Sequence, residues 1–153
     1  MRRWLGAFMV ASAVVSGGSA HAMSCAIESL NPVVFGAYDG LLRYVVDALG
    51  GVTFACQSVE PFDQVILDLG RGSSPSWSTR TMHAGAWTLA YQLYLDASRS
   101  TVWGDGTGGT SHFGPYHPSS GTPVEVPIFG RIPAGQNAGV GTYSDTVVIT
   151  ISY

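Results

Sequence analysis

Candidate chemistry in this 153-residue sequence begins with its two cysteines, Cys25 and Cys56. The chain opens on an export pattern, described below, so both thiols would meet an oxidising compartment. There an even pair reads as one disulfide rather than a metal or redox site. The bond is expected to tie the first strand to the second. Closing a loop of about 30 residues contributes on the order of 3 to 4 kcal/mol in the chain-entropy model. With both thiols bonded, neither is available as a nucleophile.

His112 and His117, with Asp105 nearby in sequence, are ligand types that a transition metal accepts. Their spacing matches no compact metal motif, and histidines flanked by Gly114, Pro115 and Pro118 read as exposed loop residues, so no metal site is expected. His83 reads as a turn or strand-end residue. Gly104, Gly106 and Gly109 spell G-x-G-x-x-G, but a dinucleotide site needs a helix that starts there and turns its first amides to the pyrophosphate. The glycine and prolines that follow prevent such a helix, and no cofactor is expected. The serines cluster at 73–78 and 119–120 without a nucleophile-elbow pattern. Asp63 and Asp68 bracket a strand, which is not evidence for a glycosidase pair, and the chain reads as non-enzymatic.

Aromatic side chains are the remaining signal. Trp77, Trp87, Trp103, Phe113 and Tyr116 lie in or beside loops, where they would either form a surface- or carbohydrate-binding site or cap the ends of a core. Trp87 reads as a cap, while Trp103, Phe113 and Tyr116 stay open between the two. With His112 and His117 they make residues 103–117 the candidate surface-binding loop, since loops host function on rigid scaffolds.

The elements that must position these residues are strands behind a leader. Arg2 and Arg3 precede an apolar run over residues 4–15, and small residues follow as far as Ala20, His21 and Ala22. This is the pattern of a secretory signal peptide over residues 1–22, with cleavage after Ala22 or, as the near alternative, after Ala20. The run is shorter than the roughly 20 residues of a spanning helix. Residues 23–153 are therefore expected to form one mature domain without membrane insertion. Without Arg2 and Arg3, five arginines and no lysine face ten acidic residues, a formal charge of −5, which attracts neither nucleic acid nor anionic lipid.

Charged residues are sparse, glycine is abundant and apolar positions recur with period two, which predicts an all-β chain. Over residues 145–153, Val147, Ile149, Ile151 and Tyr153 share one face while Thr146, Thr150 and Ser152 share the other, Val148 being the exception. Val52, Phe54 and Cys56 repeat the pattern, as do Val65, Leu67 and Leu69, and Leu89, Tyr91, Leu93 and Leu95. Val124, Val126 and Ile128 do so around Pro127, which points to an edge or a bulge. Turns are expected at 39–40, 50–51, 71–76, 105–109, 118–123 and 133–141, leaving about six or seven strands. Residues 41–49 are too short for a helix and end at Gly50, so they read as an extended edge or a single turn. Strands at this spacing with one inter-strand disulfide suggest an immunoglobulin-like β-sandwich.

Several stretches can be taken together: Cys25, Phe35-Gly36-x-Tyr38, Cys56, Arg80-Thr81-Met82, Leu89-x-Tyr91-x-Leu93-Tyr94-x-Asp96 and Trp103-Gly104-Asp105-Gly106. Further on come Val126-Pro127-Ile128-Phe129-Gly130-Arg131-Ile132-Pro133-Ala134-Gly135-Gln136 and Gly141-x-Tyr143-x-Asp145-Thr146-Val147. Through this set the mature chain resembles the spore coat protein U domain, the fold unit of archaic chaperone-usher pilus subunits. The resemblance implies an immunoglobulin-like sandwich lacking its seventh strand, with an apolar acceptor groove beside the first and last strands. Val147, Ile149, Ile151, Tyr153 and Phe35 are the expected groove residues. In that family a periplasmic chaperone lends the missing strand and a sibling subunit replaces it at the outer-membrane usher, a case of strand addition. A secreted structural subunit is implied, passing through the periplasm to the cell surface, in a pilus or a spore coat.

A polymerising subunit of that family has an alternating apolar segment before its first cysteine, which becomes the donor strand. Here only Met23 and Ser24 separate the expected cleavage site from Cys25, and residues 16–24 contain no alternating apolar set. The sequence therefore reads as an acceptor that does not donate, in a terminal, tip or coat position. Two rivals remain: a surface- or carbohydrate-binding tip module using residues 103–117, and a secreted hydrolase. The second would need His112, His117 and a perturbed carboxylate in one pocket.

Overall fold

The computed structural model describes residues 22–41 and 43–153. The expected signal peptide, residues 1–22, lies outside them but for Ala22. The described residues form eight strands: β1 (Ser24–Asn31), β2 (Val46–Gln57), β3 (Val65–Leu69), β4 (Arg80–Ala84), β5 (Trp87–Tyr94), β6 (Phe113–Tyr116), β7 (Val124–Ile132) and β8 (Ile149–Ser152). A five-stranded sheet has the order β1-β2-β7-β5-β4 and a three-stranded sheet the order β6-β3-β8. Every paired strand is antiparallel. Among the described residues no helix is long and apolar enough to cross a membrane.

Period-two alternation explains why the sheets stack. Val65, Leu67 and Leu69 turn to one face of β3 and are buried, while Ile66 and Asp68 turn to the other. Val52, Phe54 and Cys56 of β2, Leu89, Tyr91 and Leu93 of β5, and Val126, Ile128 and Ile132 of β7 meet them in a single core. Layers whose apolar faces interdigitate in this way make a β-sandwich. Cys25 and Cys56 are bonded and stand directly opposite each other in the β1–β2 ladder, 4.1 Å apart at Cα.

Some boundaries differ from the sequence reading for physical reasons. Gly50 and Gly51, expected as a turn, lie inside β2, which starts at Val46. A Cβ on Gly50 would stand 2.6 Å from the Asn31 carbonyl oxygen and 2.7 Å from a Val33 methyl. The glycine thus serves close approach of a second segment rather than chain reversal. Pro127 lies in β7, which has neighbours on both sides, but the β5 ladder covers only residues 129–131. At Pro127 only β2 flanks the strand, and the missing N–H disturbs no second ladder.

Candidate functional site

β1 pairs only with β2, and β8 only with β3, among the described residues. Beside the end of β1 at Leu30 and Asn31 and the start of β8 at Ile149 opens a groove of about 1060 Å³. Its floor is the buried core of the five-stranded sheet: Leu89, Tyr91 and Leu93 of β5 with Ile128 and Ile132 of β7. Leu30, Val33 and Phe35 bound one side, and Tyr143, Val147 and Ile149 the other. Leu30, Val34 and Val140 stand exposed along the rim.

The first wall is a segment without secondary structure, residues 32–39, laid onto the sheet. Gly50 and Gly130 make this possible: at Gly130 a Cβ would meet a Val33 methyl at 2.6 Å and the Phe35 ring at 2.8 Å. Phe35 then stands edge-on to Tyr91, with ring centroids 6.0 Å apart. Tyr38 fixes the end of the segment. Its hydroxyl donates to the Pro133 carbonyl (3.1 Å) and accepts from the Gln136 amide (2.8 Å).

The second wall crosses from sheet to sheet. Ser144 exchanges two backbone hydrogen bonds with His83 of β4, at 2.9 and 3.1 Å, and the Val148 carbonyl accepts from the Gly70 amide at 2.8 Å. β8 then pairs with β3. Throughout, Tyr143, Asp145, Val147, Ile149 and Ile151 turn inward and are half-buried, while Ser144, Thr146, Val148 and Thr150 are exposed.

One carboxylate interrupts that inward row. Asp145 accepts from the Tyr91 hydroxyl (2.7 Å) on Oδ2, and from the Ser73 (3.0 Å) and Thr146 (2.9 Å) amides on Oδ1. Burial, reinforced by the Asp145 carboxylate, raises the Tyr91 pKa and keeps its hydroxyl a donor. Arg80 is fully buried nearby. It donates to the Gly70 carbonyl (2.8 Å), the Trp103 carbonyl (2.7 Å) and Gln92 Oε1. Burial pulls its pKa down, partly opposed by Tyr91 and Asp145.

Of the expected groove residues, Phe35, Val147 and Ile149 line the groove. Ile151 lies outside it, opposite Leu67 in the β3–β8 ladder, and Tyr153 is exposed past the end of β8. In the expected surface-binding loop, Trp103, which the sequence leaves open between a surface site and a cap of the core, lies in the core. Trp103 is fully buried because its Nε1 donates to the Leu67 carbonyl (2.9 Å), which lets the ring join the core without an unpaired polar atom. Phe113 belongs to β6 and packs against Phe54 and Trp103. Tyr116 stays exposed, His117 Nδ1 contacts the Asp63 carbonyl (2.7 Å), and His112 Nδ1 lies 3.3 Å from Asp68. The two histidines thus serve different neighbours and neither lines the groove. Among the described residues no three His, Cys, Asp or Glu side chains are grouped to hold a metal ion. Gly104 faces the Thr110 side chain in a tight loop and opens no helix.

Sequence reasoning missed Val33, Tyr91, Tyr143 and Asp145 as groove residues. For Asp145 the signal was present, since it shares parity with Val147 and Ile149. For Val33 there was none, because residues 32–39 follow no period.

The profile of the spore coat protein U domain matches residues 10–150. "Protein U" of Myxococcus xanthus is 36% identical over 131 residues, covering 78% of this chain and 70% of that protein. A similar fold occurs in the crystal structure of a chaperone-tip adhesion subunit pre-assembly complex from archaic chaperone-usher Csu pili of Acinetobacter baumannii. There the TM-score is 0.59 at 18% identity, covering 86% of this chain and only 40% of the matched chain. The chain shares an immunoglobulin-like, all-β fold with that structure, and its match to a spore coat domain marks it as structural rather than enzymatic. With most of its length matched by one profile and a curated relative above 30% identity, the chain belongs to the spore coat protein U domain family.

Proposed function

We propose that this protein is a structural subunit of a bacterial surface assembly, a pilus or a spore coat, which accepts a β-strand from a partner into the groove between β1 and β8. The observation that carries this reading is an apolar groove that reaches the unpaired edge of β1 at Leu30 and Asn31 and that of β8 at Ile149, edges without a second ladder partner among the described residues. An extended segment laid there would have unpaired backbone groups within reach at Leu30, Asn31 and Ile149, and its alternate side chains would cover the floor. The half-buried Val147 and Ile149 would each gain about 1 kcal/mol from the burial still missing.

A periplasmic chaperone, an outer-membrane usher and sibling subunits are the partners this role calls for, with residues 1–22 directing export. Residues 16–24 lack an alternating apolar set, which favours an acceptor that does not donate, at a fibre end or in a coat. The rival surface-binding role for residues 103–117 is weakened by the burial of Trp103 and the packing of Phe113.

Expressed alone, the chain should accumulate poorly and aggregate as its concentration rises, so that only dilute folded monomer is recovered. A donor strand fused after Tyr153, or a co-expressed chaperone, should rescue it. Ile149→Asp should abolish the rescue, since an unpaired carboxylate would face the groove. Electron microscopy of material made with chaperone and siblings should find the chain at fibre ends or in a coat, and long homopolymers of this chain alone would overturn the acceptor role.

A further inference from the structure

We propose that Asp145 sets the register of the incoming strand by accepting a hydrogen bond from one neutral polar side chain, which replaces an apolar residue at a single inward position. This inference rests on the strand-acceptor reading above. The inward row of the second wall runs Tyr143, Asp145, Val147, Ile149, so a strand lying beside it meets apolar neighbours at every inward position but one. A strand that slips by two residues keeps its apolar face inward and loses little burial. Burial alone therefore does not choose among such registers, whereas a carboxylate does.

Asp145 has capacity to spare for this task. A carboxylate accepts about four hydrogen bonds, and the Tyr91 hydroxyl, the Ser73 amide and the Thr146 amide account for three. Two of these fall on Oδ1, leaving one position on Oδ2, an oxygen that Gly72, not itself a groove residue, also approaches so closely that a Cβ there would collide with it. Covering that oxygen with a valine or isoleucine would strip it of water and return no bond. The complementary group is a neutral donor such as Ser, Thr or Asn. Arg80 stands opposite Tyr91, the Asp145 partner, in the β4–β5 ladder, and its hydrogen bonds go to two carbonyls and an amide oxygen, so a lysine at Asp145 would bring a second cation close to a buried guanidinium. An acidic side chain would meet like charge.

The test uses the full, oxidised chain and synthetic peptides of about ten residues with Thr outward and Val inward. Asn replaces Val at each inward position in turn. One position should tighten binding by about tenfold, as a hydrogen bond to a charged group does, while Lys there gains less and Asp abolishes binding. Asp145→Asn should reduce the preference for Asn toward parity with Val. Tyr91→Phe, which frees a second acceptor site on Oδ2, should keep or enlarge it, so the inference stays testable if the first variant does not fold. An all-Val peptide that binds as tightly as every Asn peptide, or a preference unchanged in Asp145→Asn, overturns the role of Asp145 and leaves strand acceptance standing. Failure of every peptide to bind or to shift the thermal midpoint overturns both.

Discussion

The two sides of this sandwich are built from the same kinds of residue and finished to different degrees. Around Trp103 the inward residues Phe54, Val65 and Leu67 are completely buried, the indole N–H is paired, and Phe113 stands 6.3 Å from Phe54. Along the groove, Val33, Phe35, Val147 and Ile149 also face inward yet remain half-buried. Hydrophobicity does not separate the sides. What separates them is that β6 covers one flank of β3 while no strand among the described residues covers the free edges of β1 and β8. The closed side should hold its own stability, whereas the open side should depend on whatever fills it.

The largest effect should come from the closed side. Trp103→Ala should cost about 3 to 5 kcal/mol in denaturant unfolding, equally with and without a bound strand. A cost that vanished on strand binding would break the comparison. Replacing Cys25 and Cys56 by serine should cost about 3 to 4 kcal/mol for a loop of this length, measured in the same way, and here too the strand should make little difference.

Ile149→Ala sharpens the contrast. It should cost about 2 kcal/mol or more with a strand in the groove, where the side chain is fully covered, and under about 1 kcal/mol in the empty protein, where much of that contact is not yet made. Equal costs in the two states would show that the groove is not the dependent region. The smallest effect is a control on the outer face. Asp47 receives two hydrogen bonds from Arg131, at 2.7 and 2.9 Å, and these with the nearby Arg99 hold its pKa below the ordinary carboxylate range. Because the folded pKa is lower than the unfolded one, the pair stabilises above the ordinary carboxyl range, and the contribution is lost as pH falls through the folded pKa. Being at the surface, it is worth under about 1 kcal/mol. Asp47→Asn should flatten that acid slope in a pH series of unfolding curves, regardless of groove occupancy.

What the sequence made legible follows the same division. Alternation placed Val65, Leu67 and Leu69 correctly because a strand buried on one face has to alternate, and it put Val147 and Ile149 on the inward face of the last strand. It could not place residues 32–39, which follow no repeat and are held by Gly50, Gly130 and the Tyr38 hydroxyl. Gly50 and Gly51 resembled a turn because a glycine that admits another backbone and one that reverses the chain look alike in sequence. Trp103 was ambiguous for a related reason: only the acceptor at Leu67 turns an indole among glycines into a core residue. Asp145 was visible by parity but was outweighed by its apolar neighbours.

The crossing of the second wall has a mechanical consequence. The chain from Ser144 to Ser152 is bonded first to β4 in one sheet and then to β3 in the other, while the opposite border of the groove, β1, is riveted to β2 by a covalent cross-link. A strand seated between these borders and pulled along its own axis would load its ladder bonds in shear, since those bonds lie perpendicular to the strand. The tension would divide between both sheets instead of peeling one edge away, and many bonds would have to fail together before the joint parted. A filament linked in this way would resist drag along its length far better than prying across it.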